Sequence, residues 1–67
     1  MASRLTIELD LGNAAFEAPD TGEEIARILR VLARNLATTV TAPDFEGEVA
    51  LVDVNGNRVG LARLLPA

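Results

Sequence analysis

The chain has 67 residues, a formal net charge of −4 and 49% apolar residues. This composition suits one small folded domain over residues 1–67 and is too apolar for a disordered chain. The absence of Cys and His excludes disulfides, thiolate nucleophiles, imidazole bases and zinc sites with these ligands. Ten acidic against six basic residues disfavour contact with nucleic-acid phosphates, so we expect a protein partner.

The longest aliphatic runs, such as residues 49–52, fall far short of the roughly 20 residues that cross a bilayer. The N-terminal residues also lack the continuous apolar region of a secretory signal. We therefore expect no membrane association and a cytoplasmic protein.

Residues 4–10 alternate between polar and apolar types, which predicts a half-buried strand. Its apolar face comprises Leu5, Ile7 and Leu9. A connection follows to Asp20, and we expect Phe16 to fold this loop onto the core.

A helix is predicted to begin at Thr21, because Thr21 and Glu24 have the spacing of a capping box. Pro43 and the β-branched residues before it place its end at residues 37–39. The helical periodicity predicts one core-facing stripe, formed by Ile25, Ile28, Leu29, Leu32 and Leu36.

Residues 45–54 and 58–64 are predicted to form a hairpin around Asn55-Gly56. A three-residue loop with Gly56 in the left-handed region gives one continuous apolar face, whereas a two-residue turn divides the aliphatic residues between faces. We therefore predict the three-residue register. It pairs Asp53 with Asn57, Leu51 with Val59, and Val49 with Leu61.

The expected fold is an α+β domain with the order β-α-β-β, in which one helix packs on one face of a three-stranded sheet. The first strand can lie beside either arm of the C-terminal hairpin. The predicted register leaves a second sheet face that is either solvated or a contact surface for another copy or a partner. This face carries Thr6, Ala50, Val52, Gly60 and Ala62.

Arg27, Arg30 and Arg34 lie opposite the apolar stripe of the helix. They form either an anion-binding stripe or a solvated face with a Glu23–Arg27 pair, and the second interpretation is favoured. Val31 lies among these arginines, which favours a protein partner at this surface.

The segment 53–57 begins like a calcium loop, but Arg58 and Leu64 occupy the positions where such a loop needs Gly and Glu. Turn chemistry explains it fully, so no metal site is predicted. Two acidic stretches are interpreted as solvated surface or as contacts for a basic partner. They comprise Glu8, Asp10, Glu17 and Asp20, and Asp44, Glu46 and Glu48.

Three segments resemble a group of small uncharacterised phage and prophage proteins. These are the run Asn13-Ala14-Ala15-Phe16-Glu17, the helix segment 24–33 and the turn Asp53-Val54-Asn55-Gly56-Asn57-Arg58-Val59-Gly60. The resemblance covers most of the chain. It implies a bacterial or phage setting and carries no activity or cofactor.

The sequence thus predicts a non-enzymatic interaction protein that binds a host or phage protein, for example as an inhibitor of a host complex. One alternative is a nucleic-acid accessory protein that uses the helix arginines, and another is a structural homo-oligomer subunit such as a homodimer. No catalytic, cofactor-binding or metal residues are predicted. The candidate partner contacts are Asn13, Phe16, Glu17, Arg27, Arg30, Val31, Arg34, Val52 and Arg58.

Overall fold

A computed structural model describes residues 3–66 and confirms the α+β fold. Strand β1 is followed by a short 3-10 turn, helix α1 and the hairpin of β2 and β3. The sheet is antiparallel with the order β1-β3-β2, so β1 lies beside the last strand. The bounds are β1 Ser3–Leu9, the 3-10 turn Ala14–Phe16, α1 Thr21–Thr39, β2 Gly47–Val52 and β3 Arg58–Pro66.

Helix α1 begins and ends where the sequence predicts, but the capping box does not form. Asp20 occupies the N-cap position, and its carbonyl accepts the Glu24 backbone N–H at 3.0 Å. The Thr21 hydroxyl instead donates to the carbonyl of Phe16. The Glu24 carboxylate is therefore available for contacts outside the helix.

The hairpin register is part right and part wrong. Near the turn, the Asp53 N–H donates to the Asn57 carbonyl at 2.9 Å and Gly56 has a φ of +84°, as the three-residue loop requires. A β-bulge then shifts the pairing, so that Leu51 lies opposite Gly60. The extra residue Val59 is 7% exposed and still faces the core.

This bulge corrects the predicted composition of the second sheet face. Val49 pairs with Ala62 rather than with Leu61, and Ala62 is 1% exposed within the core. Gly60 also lies opposite core-facing residues on both neighbouring strands. Leu61 and Arg63 take their places on the outer face, beside Thr6, Ala50 and Val52.

Helix α1 packs over β2, and Phe16 folds the preceding loop against both. Beyond this arrangement the apolar layer thins, because a single helix covers only about two strands at a spacing of about 4.8 Å. The buried core consists of Phe16, Ile28, Leu32, Leu51, Val59 and Ala62.

Candidate functional site

Glu24 connects helix α1 to the hairpin. Its carboxylate accepts hydrogen bonds from Arg27 Nε at 2.6 Å and Nη2 at 3.2 Å, and from the backbone N–H of Val54 at 2.8 Å. The ion-pair partner of Arg27 is therefore Glu24 and not the predicted Glu23. The side chain of Glu24 is only 7% exposed, so this arrangement is a buried structural contact.

The hydrogen bond from Arg27 holds the pKa of Glu24 below its ordinary value. Burial acts in the opposite direction on this pKa, and the Val54 N–H adds to the lowering. Glu24 is consequently a stable carboxylate at neutral pH and is committed to holding the helix against the turn.

Arg27 also donates from Nη2 to the backbone carbonyl of Val52, at 3.2 Å. Val52 ends β2, which lies at an edge of the sheet. Because the N–H and C=O groups of successive strand residues point to opposite sides, a Val52 carbonyl that accepts from Arg27 points away from β3. The Asp53 N–H, one residue later, points toward the hairpin partner Asn57, as this alternation requires.

Asp53 organises the other side of the turn. Its carboxylate accepts from the backbone N–H groups of Asn55 and Asn57 at 2.8 and 2.9 Å, and from Asn57 Nδ2 at 3.2 Å. Asn13 Nδ2 donates to the same carboxylate at 2.7 Å. Burial raises the pKa of Asp53, but the bonds from Asn57, Asn13 and Asn55 outweigh this effect and lower it.

Two of the predicted contact residues, Asn13 and Phe16, hold parts of the fold together. Asn13 caps the 3-10 turn by accepting the Ala15 N–H at 3.0 Å and ties it to Asp53. Phe16 is 3% exposed in the core, as expected for the residue that holds the loop, and it offers no surface to a partner. Its assignment as a contact residue is corrected on this ground.

Three other predicted residues meet in one groove between α1 and the outer edge of β2: Arg27, Val31 and Val52. Val31 is 39% exposed on the helix side and Val52 is 46% exposed on the strand side. The groove has a volume of about 110 Å³, and its floor is formed by Ile28, Leu32, Val49 and Leu51. We define this feature as the α1–β2 groove.

The remaining predicted residues are exposed outside the groove. Arg30 lies in a hollow beside Val54, and Arg58 lines a second hollow with Glu8 and Asp10 at the other side of the molecule. Arg34 and Glu17 are exposed and line none of these three depressions. Since Arg27 is held by Glu24, the three helix arginines do not form a uniform free stripe.

Sequence reasoning missed Asn35 as a contact residue, and it placed Ala50 only on the second sheet face; both residues line the α1–β2 groove. Asn35 follows Val31 by one helical turn, so helical spacing could have identified it. No local signal indicates that Ala50 lies at a free edge, because that position depends on the pairing of β1 with β3.

No family model, no curated protein and no solved structure matches the chain. Within residues 3–66, no helix combines the length and the apolar character needed to cross a membrane.

Proposed function

We propose that the protein is a binding module that holds an extended segment of a partner protein along the edge of β2. The observation that carries this proposal is the α1–β2 groove, where the exposed Val31 of α1 borders an apolar floor beside an unpaired strand edge. A helix and a strand edge that border one groove form a recurring site for strand addition.

The backbone of β2 supplies the hydrogen-bonding groups. The backbone N–H of Asp53 points toward Asn57, and the backbone carbonyl of Val52 points outward. Because these directions alternate along a strand, the N–H and C=O groups of Glu48 and Ala50 point outward as well. An added strand can pair with these groups and with the Val52 N–H. The Val52 carbonyl is already occupied by Arg27, so pairing ends there.

The residues around the groove also favour one kind of partner segment. Side chains of an added strand that point toward α1 meet Val31 and the floor, which favours aliphatic residues. Arg34 is exposed on the same helix, three residues after Val31, and favours an acidic residue next to them. We therefore propose a partner segment with alternating aliphatic residues and at least one carboxylate.

We propose binding rather than catalysis. The two buried carboxylates, Glu24 and Asp53, are held in the charged form by several hydrogen bonds each. A general acid or base requires a pKa near the working pH, which these bonds oppose. The resemblance noted in the sequence supports a phage or bacterial setting. For that setting we propose a cytoplasmic host protein as the binding partner and inhibition of a host complex as the outcome.

The test is selection of a random dodecapeptide library on the immobilised protein, followed by affinity measurements with the enriched peptides. We expect these peptides to contain alternating aliphatic residues and to shift the amide NMR signals of Val31, Ala50 and Val52. Val31→Gln should weaken binding about tenfold or more by removing an apolar contact.

Two further variants sharpen the test. Ala50→Pro removes an outward N–H without touching the ladder to β3, so it should abolish peptide binding and leave the fold intact. Val54→Gln is the matched control, because Val54 is exposed and lies outside the groove. The affinity of this variant for the selected peptides should equal that of the native protein. If Val31→Gln and Ala50→Pro both bind peptides like the native protein, the proposal is wrong.

The same samples address the nucleic-acid alternative. The probe is a random-sequence DNA duplex in a gel-shift titration at low salt. A shift that disappears in an Arg30→Ala, Arg34→Ala double variant, together with no enriched peptide, would replace the proposed function with a nucleic-acid role.

A further inference from the structure

Strand β1 forms the second free edge of the sheet, on the opposite side from the α1–β2 groove. The Asp10 N–H donates to the Val59 carbonyl at 2.7 Å, so the even-numbered residues of this segment point their backbone groups toward β3. The odd-numbered residues of β1 point theirs away from the sheet. These outward residues are Ser3, Leu5, Ile7 and Leu9.

Among residues 3–66, no helix or strand covers the helix-side face of β1. Leu5 is 46% exposed and Ile7 is 41% exposed, although both belong to the apolar face that continues into the core. Helix α1 packs mainly on β2, two strands away, and neither Leu5 nor Ile7 is among the residues that pack against the core. An apolar strip therefore ends abruptly at an unpaired edge.

The two sheet edges differ in how they are protected. At β2, Arg27 occupies an outward carbonyl. Strand β1 contains no proline, and its pairing with β3 runs from Ser3 to Leu9 without a register shift. Natural edge strands that remain unpaired are normally interrupted by such features.

The sequence of β1 is complementary to itself when it is reversed about Thr6. An antiparallel pairing centred on Thr6 places Arg4 opposite Glu8 of the second copy, and Leu5 opposite Ile7 of the second copy. The same register pairs Ser3 with Leu9, so all seven residues of the strand take part.

The hydrogen-bonding pattern allows this register. Leu5 and Ile7 both have outward backbone groups and would form hydrogen-bonded pairs across the axis. Arg4 and Glu8 would occupy the non-hydrogen-bonded positions, where side chains approach most closely. A register shifted by one residue would pair odd-numbered residues of one copy with even-numbered residues of the other. The backbone groups of the even-numbered residues point toward β3, so this register is excluded.

We infer that a second copy of this chain occupies the β1 edge, and that the two copies form a two-fold dimer with one continuous six-stranded sheet. The strand order is β2-β3-β1-β1-β3-β2. A two-fold axis at Thr6 uses each cross-strand contact twice, which is the property of an isologous interface. Both α1–β2 grooves remain open at the outer edges.

Charge reversal tests the register. The proposed dimer contains two Arg4–Glu8 pairs, one on each side of the axis. In Arg4→Glu each pair consists of two carboxylates, and in Glu8→Arg each pair consists of two guanidinium groups. Either variant should weaken dimerisation about tenfold or more in sedimentation equilibrium. Each carboxylate of one variant faces a guanidinium of the other, so an equimolar mixture should form a heterodimer, and the double variant should dimerise like the native chain.

The matched controls are Arg30→Glu and Glu23→Arg, which make the same charge changes on exposed positions of α1. They should leave dimerisation unchanged. In the native protein, hydrogen exchange at the Leu5, Ile7 and Leu9 amides should slow as concentration rises, whereas the Thr6 and Glu8 amides, already bonded to β3, should be protected throughout.

Several outcomes would overturn the inference. They are a monomer at millimolar concentration, a dimer that the single charge reversals do not weaken, and a mixture of the two variants that stays monomeric. A dimer whose formation protects the β2 amides instead would place the second copy at the groove. Peptide selection at β2 can fail without affecting these measurements, so the two proposals are tested separately.

Discussion

The side chain of Asn13 donates a hydrogen bond of 2.7 Å to the carboxylate of Asp53, which lies 40 residues later in the chain. This contact joins the loop before α1 to the turn between β2 and β3. The same carboxylate shapes the turn through Asn55 and Asn57, so one buried side chain fixes two loops at once.

The first prediction concerns this junction. Asp53→Ala leaves the donors of three asparagines without their acceptor, whereas Asn13→Ala removes one donor and leaves the turn bonds in place. Both variants should melt at a lower temperature than the native protein, and Asp53→Ala should melt well below Asn13→Ala. Thermal denaturation followed by circular dichroism gives the comparison. Equal melting temperatures for the two variants would contradict it.

The second prediction tests the bulge. Ala62→Asp places an uncompensated charge in the core and should cost about 3–5 kcal/mol in the free energy of unfolding. Leu61→Asp alters the outer face and should cost about 1 kcal/mol or less. Urea denaturation measures both. In the predicted register without a bulge, Leu61 faces the core and Ala62 lies on the outer face, so Leu61→Asp would be the more destabilising variant.

The third prediction uses a close approach of two strands. A Cβ atom at Gly60 would collide with the backbone carbonyl oxygen of Glu8, so Gly60→Ala should push β1 away from β3 and destabilise the domain by about 1–3 kcal/mol. At the equivalent position of Gly22, in the first turn of α1, no heavy atom of residues 3–66 lies within 4 Å apart from its chain neighbours and the backbone of the helix itself. Gly22→Ala is therefore the control and should gain about 0.4–1 kcal/mol by reducing the freedom of the unfolded chain.

The fourth prediction is a loss of stability in acid. Glu24 and Asp53 have lower pKa values in the folded protein than in the unfolded chain. Their contribution is therefore fully present above the unfolded values of about 4 and is lost as the pH falls through the lower, folded values. The urea midpoint should therefore drop as the pH falls from about 6 to about 3.

The control for this pH dependence is the pair of variants Glu24→Gln and Asp53→Asn, which lack the titrating groups. Both should be less stable than the native protein at neutral pH, and both should lose less stability on acidification. A native urea midpoint that is independent of pH over this range would contradict the assignment.

The sequence by itself determined the element types and their order. Alternation in residues 4–10, the aliphatic period of α1 and the Asn55-Gly56 turn are local patterns, and local backbone preferences are enough to define a strand, a helix and a hairpin. It also indicated that Phe16 holds the loop, because burying a large aromatic side chain from a connecting segment against the core is favourable.

Tertiary structure decided what the local patterns leave equivalent. The bulge at Val59 became favourable because it lets both Val59 and Ala62 face the helix, a gain that exists only after α1 and β2 have packed. Glu24 left its capping role because Arg27 and the Val54 N–H offered it three hydrogen bonds. The pairing of β1 with β3 then fixed which edges stay open, since strand order depends on contacts between distant segments.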